Sequence, residues 1–341
     1  MHLNLQKNKF NTYFFYDMIL IRNMVSNMKD LKVVFMGTPE LAVPILEELI
    51  NTTNVVLVVT KVDAYVGRKK ILTPSPVALI ATKNNIEVYK PTKLKEEYEY
   101  ILSKEPDIII TCAYGKIVPK VILDYPKYGC INVHASLLPK YRGANPIQQA
   151  IYNGEEKTGV TLMYMDEGID TGNIIDAIEV PISQTDSLLT LEPKISDAGV
   201  TVLRRSLPKI IAFENFSLKQ DDKEASYVGY LKREDERLDF NKTAKEVYNH
   251  IRSMYDEPLA NFVLNGEEIK VTKSLIGENS YPGKTNEITS ITKTSIGIMC
   301  QDKEIILLEI KPAGKNIMQV RDWLNGKNKE ELLGAKVNGE D

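Results

Sequence analysis

The 341 residues carry 43 Lys and Arg against 46 Asp and Glu, a formal net charge of −3, so any nucleic-acid role must come from local basic patches. Hydrophobic residues make up 43% and charged residues 26%, the balance of a globular chain long enough for two domains, each with its own core. Cys112, Cys130 and Cys300 are too scattered for a metal knuckle or a disulfide framework, and Cys112 and Cys130 sit in apolar runs as small core residues suited to a reducing compartment.

The first 28 residues read as a poorly ordered extension. Their apolar run FFYDMILI (14–21) is interrupted by Asp17 and falls well short of the roughly 20 residues of a membrane span. No small-residue cleavage site follows it, so a secretory signal is not expected. KVVFM (32–36) is the first strand. Thr38 is placed to cap a helix, Pro39 suits its first turn and Glu40 its positive end. Leu41, Ile45, Leu46 and Leu49 then give one helical face. VVLVV (55–59) reads as a fully buried strand, which completes a β-α-β unit and implies a parallel sheet.

The alternation continues with a helix at 76–84, a strand at 86–89, a charged helix at 93–104 and the strand DIIITC (107–112). A helical turn at 119–123, a strand at 130–133, a helix at 146–152 and strands near 159–165 and 174–180 follow. A last helix runs to about 213, with Pro193 interrupting its early part. Residues 214–229 are polar and aperiodic, as a linker is. After a helix at 243–254, short strands alternate with turns, and Asn265-Gly266 is a hairpin signal. The expected architecture is α/β: a Rossmann-like, mostly parallel sheet with helices on both faces (29–213), the linker (214–229), a smaller OB-like β-barrel domain (230–335) and a tail (336–341).

Gly37-Thr38-Pro39 stands where a dinucleotide fingerprint would be, but it is not GxGxxG, and no P-loop exists. His2 and His250 lack Cys or His partners at ligand spacing, so no metal is expected. His134 and Asn132 remain. Two residues apart in a strand, they project to one side near the carboxyl end of a parallel sheet, where open α/β folds bind ligands. An amide and an imidazole there can polarise a carbonyl; the alternative is a satisfied structural pair. MDEGIDTGNII (165–175) adds Asp166 and Asp170 in a glycine-rich loop, where a carboxylate can orient the imidazole or relay a proton.

The residues Asn132-Val133-His134, Ser136-Leu137-Leu138-Pro139, Arg142-Gly143-Ala144, Pro146-Ile147-Gln148, Thr158-Gly159-Val160-Thr161 and Gly168-Ile169-Asp170-Thr171-Gly172 together resemble the 10-formyltetrahydrofolate-dependent formyltransferases. The resemblance runs over about 31–335 and includes FMGTPELAVPILEEL, TPSPV (73–77), CAYGKIVP (112–119) and KPAGKNIMQVRDWLNG (311–326). It is greatest to the members that formylate methionyl-tRNA. The resemblance implies a catalytic trio of Asn132, His134 and Asp170. It implies donor contacts from Ser136, Leu137, Leu138 and Pro139, with Ala113, Tyr114 and Gly115 nearby. The implied chemistry is direct attack of the α-amine of initiator methionyl-tRNA on the formyl carbon of 10-formyltetrahydrofolate, in the cytoplasm, by a monomer that needs neither metal nor membrane. Asn132 and His134 would stabilise the oxyanion, and Asp170 would orient His134 and help move the proton.

The basic run Gly67-Arg68-Lys69-Lys70 matches a loop that enters the tRNA acceptor arm in that family, with Arg68 at the tRNA-contacting arginine. Here the loop is about one residue shorter than the common form. Lys311 and Lys315, with Lys270, Lys273 and Arg321, are candidates for further phosphate contacts, whereas Trp323 reads as core. Two other functions fit less well. One is a formyltransferase acting on a nucleotide-linked amino sugar, against which the basic loop and the RGANPIQ and KPAGK segments weigh. The other is a non-catalytic RNA-binding protein, which would not require the trio.

Overall fold

A computed structural model describes residues 28–67, 69–212, 217–255 and 258–339. The expected N-terminal extension, save Met28, and Arg68 lie outside the described residues. The chain divides into two compact units, one of Met1–Arg142, Gly159–Glu179 and Ile195–Ala225, the other of Gly143–Thr158, Val180–Lys194 and Ser226–Asp341.

In the first unit β1 (Lys32–Gly37) leads through a 3₁₀ turn (Glu40–Ala42) into α1 (Val43–Thr52) and β2 (Asn54–Val59). Thr38 does not cap this helix; its hydroxyl donates to the Tyr114 carbonyl at 3.3 Å. The hairpin β3 (Ala64–Val66) and β4 (Ile71–Thr73) precedes α2 (Pro76–Lys83), which Ser75 caps by accepting the Ala78 N–H. Then come β5 (Val88–Tyr89), β6 (Ile108–Cys112) and β7 (Cys130–His134). The two-residue β8 (Arg142–Gly143) and α3 (Pro146–Tyr152), which belongs to the second unit, precede β9 (Lys157–Tyr164), β10 (Ile174–Pro181) and the long α4 (Leu188–Ile211), whose residues from Ile195 onward belong to the first.

Seven strands form one sheet in the order β10-β9-β7-β6-β1-β2-β5. The β1, β2, β5, β6 and β7 pairings are parallel, and β9 runs antiparallel to β7. From β1 the chain builds outward to β5, then returns to β6 on the other side. The crevice beside the ends of β1 and β6 is therefore a topological switch point, where such sheets bind ligands. Cys112 and Cys130 are buried in this core, as expected.

Three further expectations are corrected. The charged helix over 93–104 is instead a turn closed by the Glu96 and Glu97 N–H groups on the Lys93 carbonyl, followed by a short helix at Glu99–Leu102, although Leu94, Tyr98, Ile101 and Leu102 pack on the core at helical spacing. In β2 only Leu57 to Val59 are buried. Pro193 does not interrupt α4. Burial of Leu188, Leu191, Ile195, Ala198, Val202 and Leu207 at helical spacing, at about 1.5–3 kcal/mol for each large side chain, outweighs the roughly 3 kcal/mol cost of a proline.

In the second unit, β11 (Tyr227–Val228) is followed by α5 (Ala244–Ser253), which starts at a Thr243–Glu246 capping box. Then β12 (Asn261–Leu264) and β13 (Glu267–Ile276) flank the two-residue turn Asn265-Gly266, whose φ values of 49° and 73° give the expected hairpin. With β14 (Ile288–Ile291), β15 (Ile296–Met299), β16 (Glu304–Pro312) and β17 (Met318–Gln319) they make an antiparallel sheet ordered β12-β13-β16-β15-β14, with β17 on β16. The sheet curls into a half-barrel around Phe240, Phe262, Ile298, Leu307 and Trp323. Residues 334–338 close it: Leu264 of β12 bridges to Val337, and Glu287, beside β14, bridges to Lys336.

Candidate active site

β6 and β7 lie side by side in parallel, with Thr111 opposite Asn132. Asn132 and His134 project together from the carboxyl end of β7. The loop between β9 and β10 brings Asp170 to the same place. Asn132 Nδ2 donates to Asp170 Oδ1 at 3.2 Å, and His134 Nδ1 lies 3.5 Å from Asp170 Oδ2. The structure thus brings together the three residues singled out as the trio. Asp166 serves otherwise: its carboxylate accepts the Gly168 N–H at 3.0 Å and the Thr171 hydroxyl at 2.6 Å, which folds the loop on itself. Gly172 ends that loop under the backbone, where an added Cβ would stand 1.9 Å from the Tyr164 carbonyl oxygen.

Neighbours set the orientation of the Asn132 amide and of the His134 ring. The Thr111 hydroxyl donates to Asn132 Oδ1 at 2.8 Å, so the amide must turn its NH₂ toward Asp170. One of those two N–H bonds meets the carboxylate. His134 Nε2 sits 2.9 Å from the Tyr141 carbonyl oxygen. A carbonyl only accepts, so Nε2 carries hydrogen and is the anchored nitrogen. Nδ1 is the nitrogen on the Asp170 side, and its 3.5 Å separation is looser than a formed hydrogen bond. The ring is only 5% exposed, which removes competing water. Asp170 holds a left-handed φ of 53° and Tyr141 one of 60°, a backbone cost kept where the surroundings fix it.

The turn after β7 is built around Thr161 of β9, whose hydroxyl donates to the Ser136 carbonyl at 2.7 Å and accepts the Leu138 N–H at 3.0 Å. The Ser136 hydroxyl closes the turn on the Lys140 carbonyl at 2.7 Å. Leu137 and Pro139 are half-buried. Beyond β6, Ala113 and Gly115 are exposed with φ of 47° and 73°. Between them the Tyr114 side chain is packed into the core, where burial pushes its phenol up to about 12. Any contact from this loop to a ligand is therefore through backbone. Burial also pushes the Cys112 and Cys130 thiols up to about 12, so neither supplies a thiolate nucleophile at neutral pH.

The other expected site residues lie elsewhere. Lys69 and Lys70 are exposed at the tip of the β3–β4 hairpin, whose Tyr65, Val66, Ile71 and Leu72 are also exposed. In the half-barrel Lys270 stands directly opposite Lys311 across β13 and β16, a like-charge pairing that costs stability unless an anion or acid answers it. Glu236 lies 3.6 Å from Lys270; Lys273 and Lys315 are exposed. Trp323 is core. His250 donates from Nε2 to the Asp235 carbonyl at 2.8 Å and packs edge-on against Tyr152. Among the described residues, no three His, Cys, Asp or Glu side chains gather as a metal site, and no helix is long and apolar enough to cross a membrane.

Fold and site together describe a group-transfer enzyme that works on a carbonyl at the edge of an α/β sheet. Residues 31–207 match the formyl transferase family and residues 230–328 its C-terminal domain, and the chain belongs to that family. It is 46% identical over 308 residues to a methionyl-tRNA formyltransferase of Staphylococcus epidermidis, covering 89% of this chain and 98% of the relative. It is 44% identical over 317 residues to one from a Geobacillus strain, covering 91% and 99%. Among solved structures it is similar to an N-formyltransferase from Helicobacter canadensis in complex with folinic acid and dTDP-3-aminofucose. The TM-score is 0.60 at 26% identity, covering 81% of this chain and 98% of that one.

Proposed function

We propose that this chain transfers the formyl group of 10-formyltetrahydrofolate to the α-amine of initiator methionyl-tRNA, giving N-formylmethionyl-tRNA and tetrahydrofolate for translation initiation in the cytoplasm. The supporting observation is the juxtaposition of Asn132, His134 and Asp170 in a chain that matches methionyl-tRNA formyltransferases over nearly their whole length. The stretch 29–213 carries catalysis and 230–335 holds the tRNA.

The donor supplies an activated formyl carbon when bound. The exposed left-handed backbone at Ala113 and Gly115, beside the switch point, suits the hydrogen-bonding edge of a flat heterocycle. Leu137 and Pro139 offer apolar cover from the turn after β7. The Asn132 N–H not taken by Asp170 meets the formyl oxygen as the amine attacks and charge builds there, and His134 Nδ1 joins it as a donor once it has taken up a proton. Losing one such donor costs about 3–4 kcal/mol. Asp170 accepts the proton that the attacking amine sheds and passes it to His134 Nδ1, which delivers it to the departing nitrogen, so both groups end as they began. The bond to the amine forms as the bond to the folate nitrogen breaks, and no covalent link to the protein is required.

Lys69, Lys70, Lys311 and Lys315, with Arg68, answer the phosphates of the tRNA. The test is formyl transfer to charged initiator methionyl-tRNA, with a nucleotide-linked amino sugar in parallel because of the likeness to the sugar-complexed N-formyltransferase. Activity with the tRNA alone is expected. Activity with the sugar alone would keep the trio and overturn the substrate.

A further inference from the structure

Gln220 lies 50 positions beyond Asp170, inside the polar stretch expected to be a linker, yet it is buried. Its carboxamide is fully engaged. Oε1 accepts from Arg142 Nε at 3.1 Å and from Arg142 Nη2 at 2.9 Å. Nε2 donates to the Asp170 carbonyl at 2.8 Å and to the Gly172 carbonyl at 2.7 Å. A guanidinium only donates and carbonyls only accept, so this orientation of the amide is the one that satisfies all four contacts.

Arg142 is 1% exposed and also donates to Asp222 Oδ1 at 2.9 Å. It directly follows Tyr141, whose carbonyl anchors His134 Nε2. One buried Arg–Gln pair therefore ties the segment that anchors the imidazole to the segment that carries the carboxylate. The tie falls on a backbone that needs it, since Asp170 is held at a φ of 53°.

We propose that Gln220 is a positioning residue. Seated on Arg142, it fixes the Asp170 carboxylate against His134 Nδ1 and so sets the rate of formyl transfer without touching either substrate. The proposal rests on the reading of Asn132, His134 and Asp170 as the reacting site.

Gln220→Glu in the full chain is the discriminating variant. It keeps the volume and turns the Arg142 contact into a charge-assisted one. It also replaces both donors by acceptors that face the carbonyls of Asp170 and Gly172. A misplacement of the carboxylate by about 1 Å lowers kcat about 10²-fold, with KM for the folate donor and for the tRNA within about twofold. Combined with Asp170→Asn, Gln220→Glu should add less than about twofold, because it acts through Asp170. Should Gln220→Glu fail to fold, Gln220→Met removes both donors and the Arg142 acceptor without adding charge, and the same loss of kcat is expected.

A raised KM with kcat retained, a full additive loss on Asp170→Asn, or wild-type turnover would each overturn the proposal. The imidazole resonances give a readout independent of turnover, since the chain has only three histidines. Gln220→Glu or Gln220→Met should move the His134 signal and leave that of His250 in place. If wild type forms no formylated tRNA but the His134 signal still moves, the substrate reading fails and the positioning role stands. An active wild type with an unmoved signal and unchanged kcat in these variants refutes the positioning role alone.

Discussion

Thr111→Val isolates the orientation of Asn132 from its presence. The hydroxyl donates to Asn132 Oδ1 at 2.8 Å and also lies near the Ile131 carbonyl and the Met165 sulfur, at 3.4 and 3.3 Å. Valine keeps the shape and the burial, so the strand itself should be little affected. What is lost is the donor that keeps the amide from turning over. Asp170 still favours the productive orientation, because a carboxylate cannot accept from the amide oxygen. The rate should therefore fall by the worth of one neutral hydrogen bond, roughly 0.5–1.5 kcal/mol or about 2- to 13-fold. Asn132→Ala, which removes an oxyanion donor outright, should cost about 10²- to 10³-fold. Single-turnover formylation with both substrates saturating measures the chemical step. A Thr111→Val rate equal to that of wild type, or as low as that of Asn132→Ala, would refute this account of the amide.

Gly172→Ala should destabilise the first unit by roughly 2–4 kcal/mol in denaturant unfolding and displace the Asp170 loop, because its Cβ would stand 1.9 Å from the Tyr164 carbonyl oxygen. Burial holds His250 below its ordinary value of 6.5. The unfolded chain therefore takes up a proton as pH falls through that value while the folded chain does not, and stability drops as pH is lowered. His250→Gln should flatten the slope of stability over about pH 5 to 7 while Gln keeps a donor for the Asp235 carbonyl. Lys311→Ala should weaken tRNA use and reduce the slope of log affinity against log salt by about 0.7–0.9, with binding of the folate donor unchanged.

The parts of the fold legible in sequence were those written by periodicity and turn chemistry. The apolar strands around Ile108–Cys112 and Cys130–His134, the helix at 243–254 and the Asn265-Gly266 hairpin each depend on neighbouring residues. The charged stretch at 93–104 has helical spacing in Leu94, Tyr98, Ile101 and Leu102, yet it folds as a turn on the Lys93 carbonyl and a short helix at Glu99–Leu102, a break that local hydrogen bonds set and periodicity does not show. Pro193 misled in the opposite direction, because a long buried stripe outweighed one breaker. At the site, strand spacing alone put Asn132 and His134 on one side, and the glycine-rich loop offered two aspartates without choosing between them. The choice lies in long-range contacts: Asp166 closes its own loop, while Asp170 faces the pair from β7. Thr111 had a faint signal, a lone hydroxyl in an apolar strand. Gln220 had none, because its partners lie 78 and 50 residues away and its own surroundings in sequence are polar and aperiodic.

The central claim is that His134 is anchored through Nε2 on the Tyr141 carbonyl and works through Nδ1 beside Asp170. Side-chain amides can stand in for one ring nitrogen at a time: Asn at 134 places an N–H near Nδ1, and Gln places one near Nε2. The decisive measurement is single-turnover formyl transfer from 10-formyltetrahydrofolate to initiator methionyl-tRNA by His134→Asn, His134→Gln and His134→Ala. The account predicts that His134→Asn retains turnover clearly above His134→Ala, while His134→Gln does not. Turnover by His134→Gln above that of His134→Asn would contradict it.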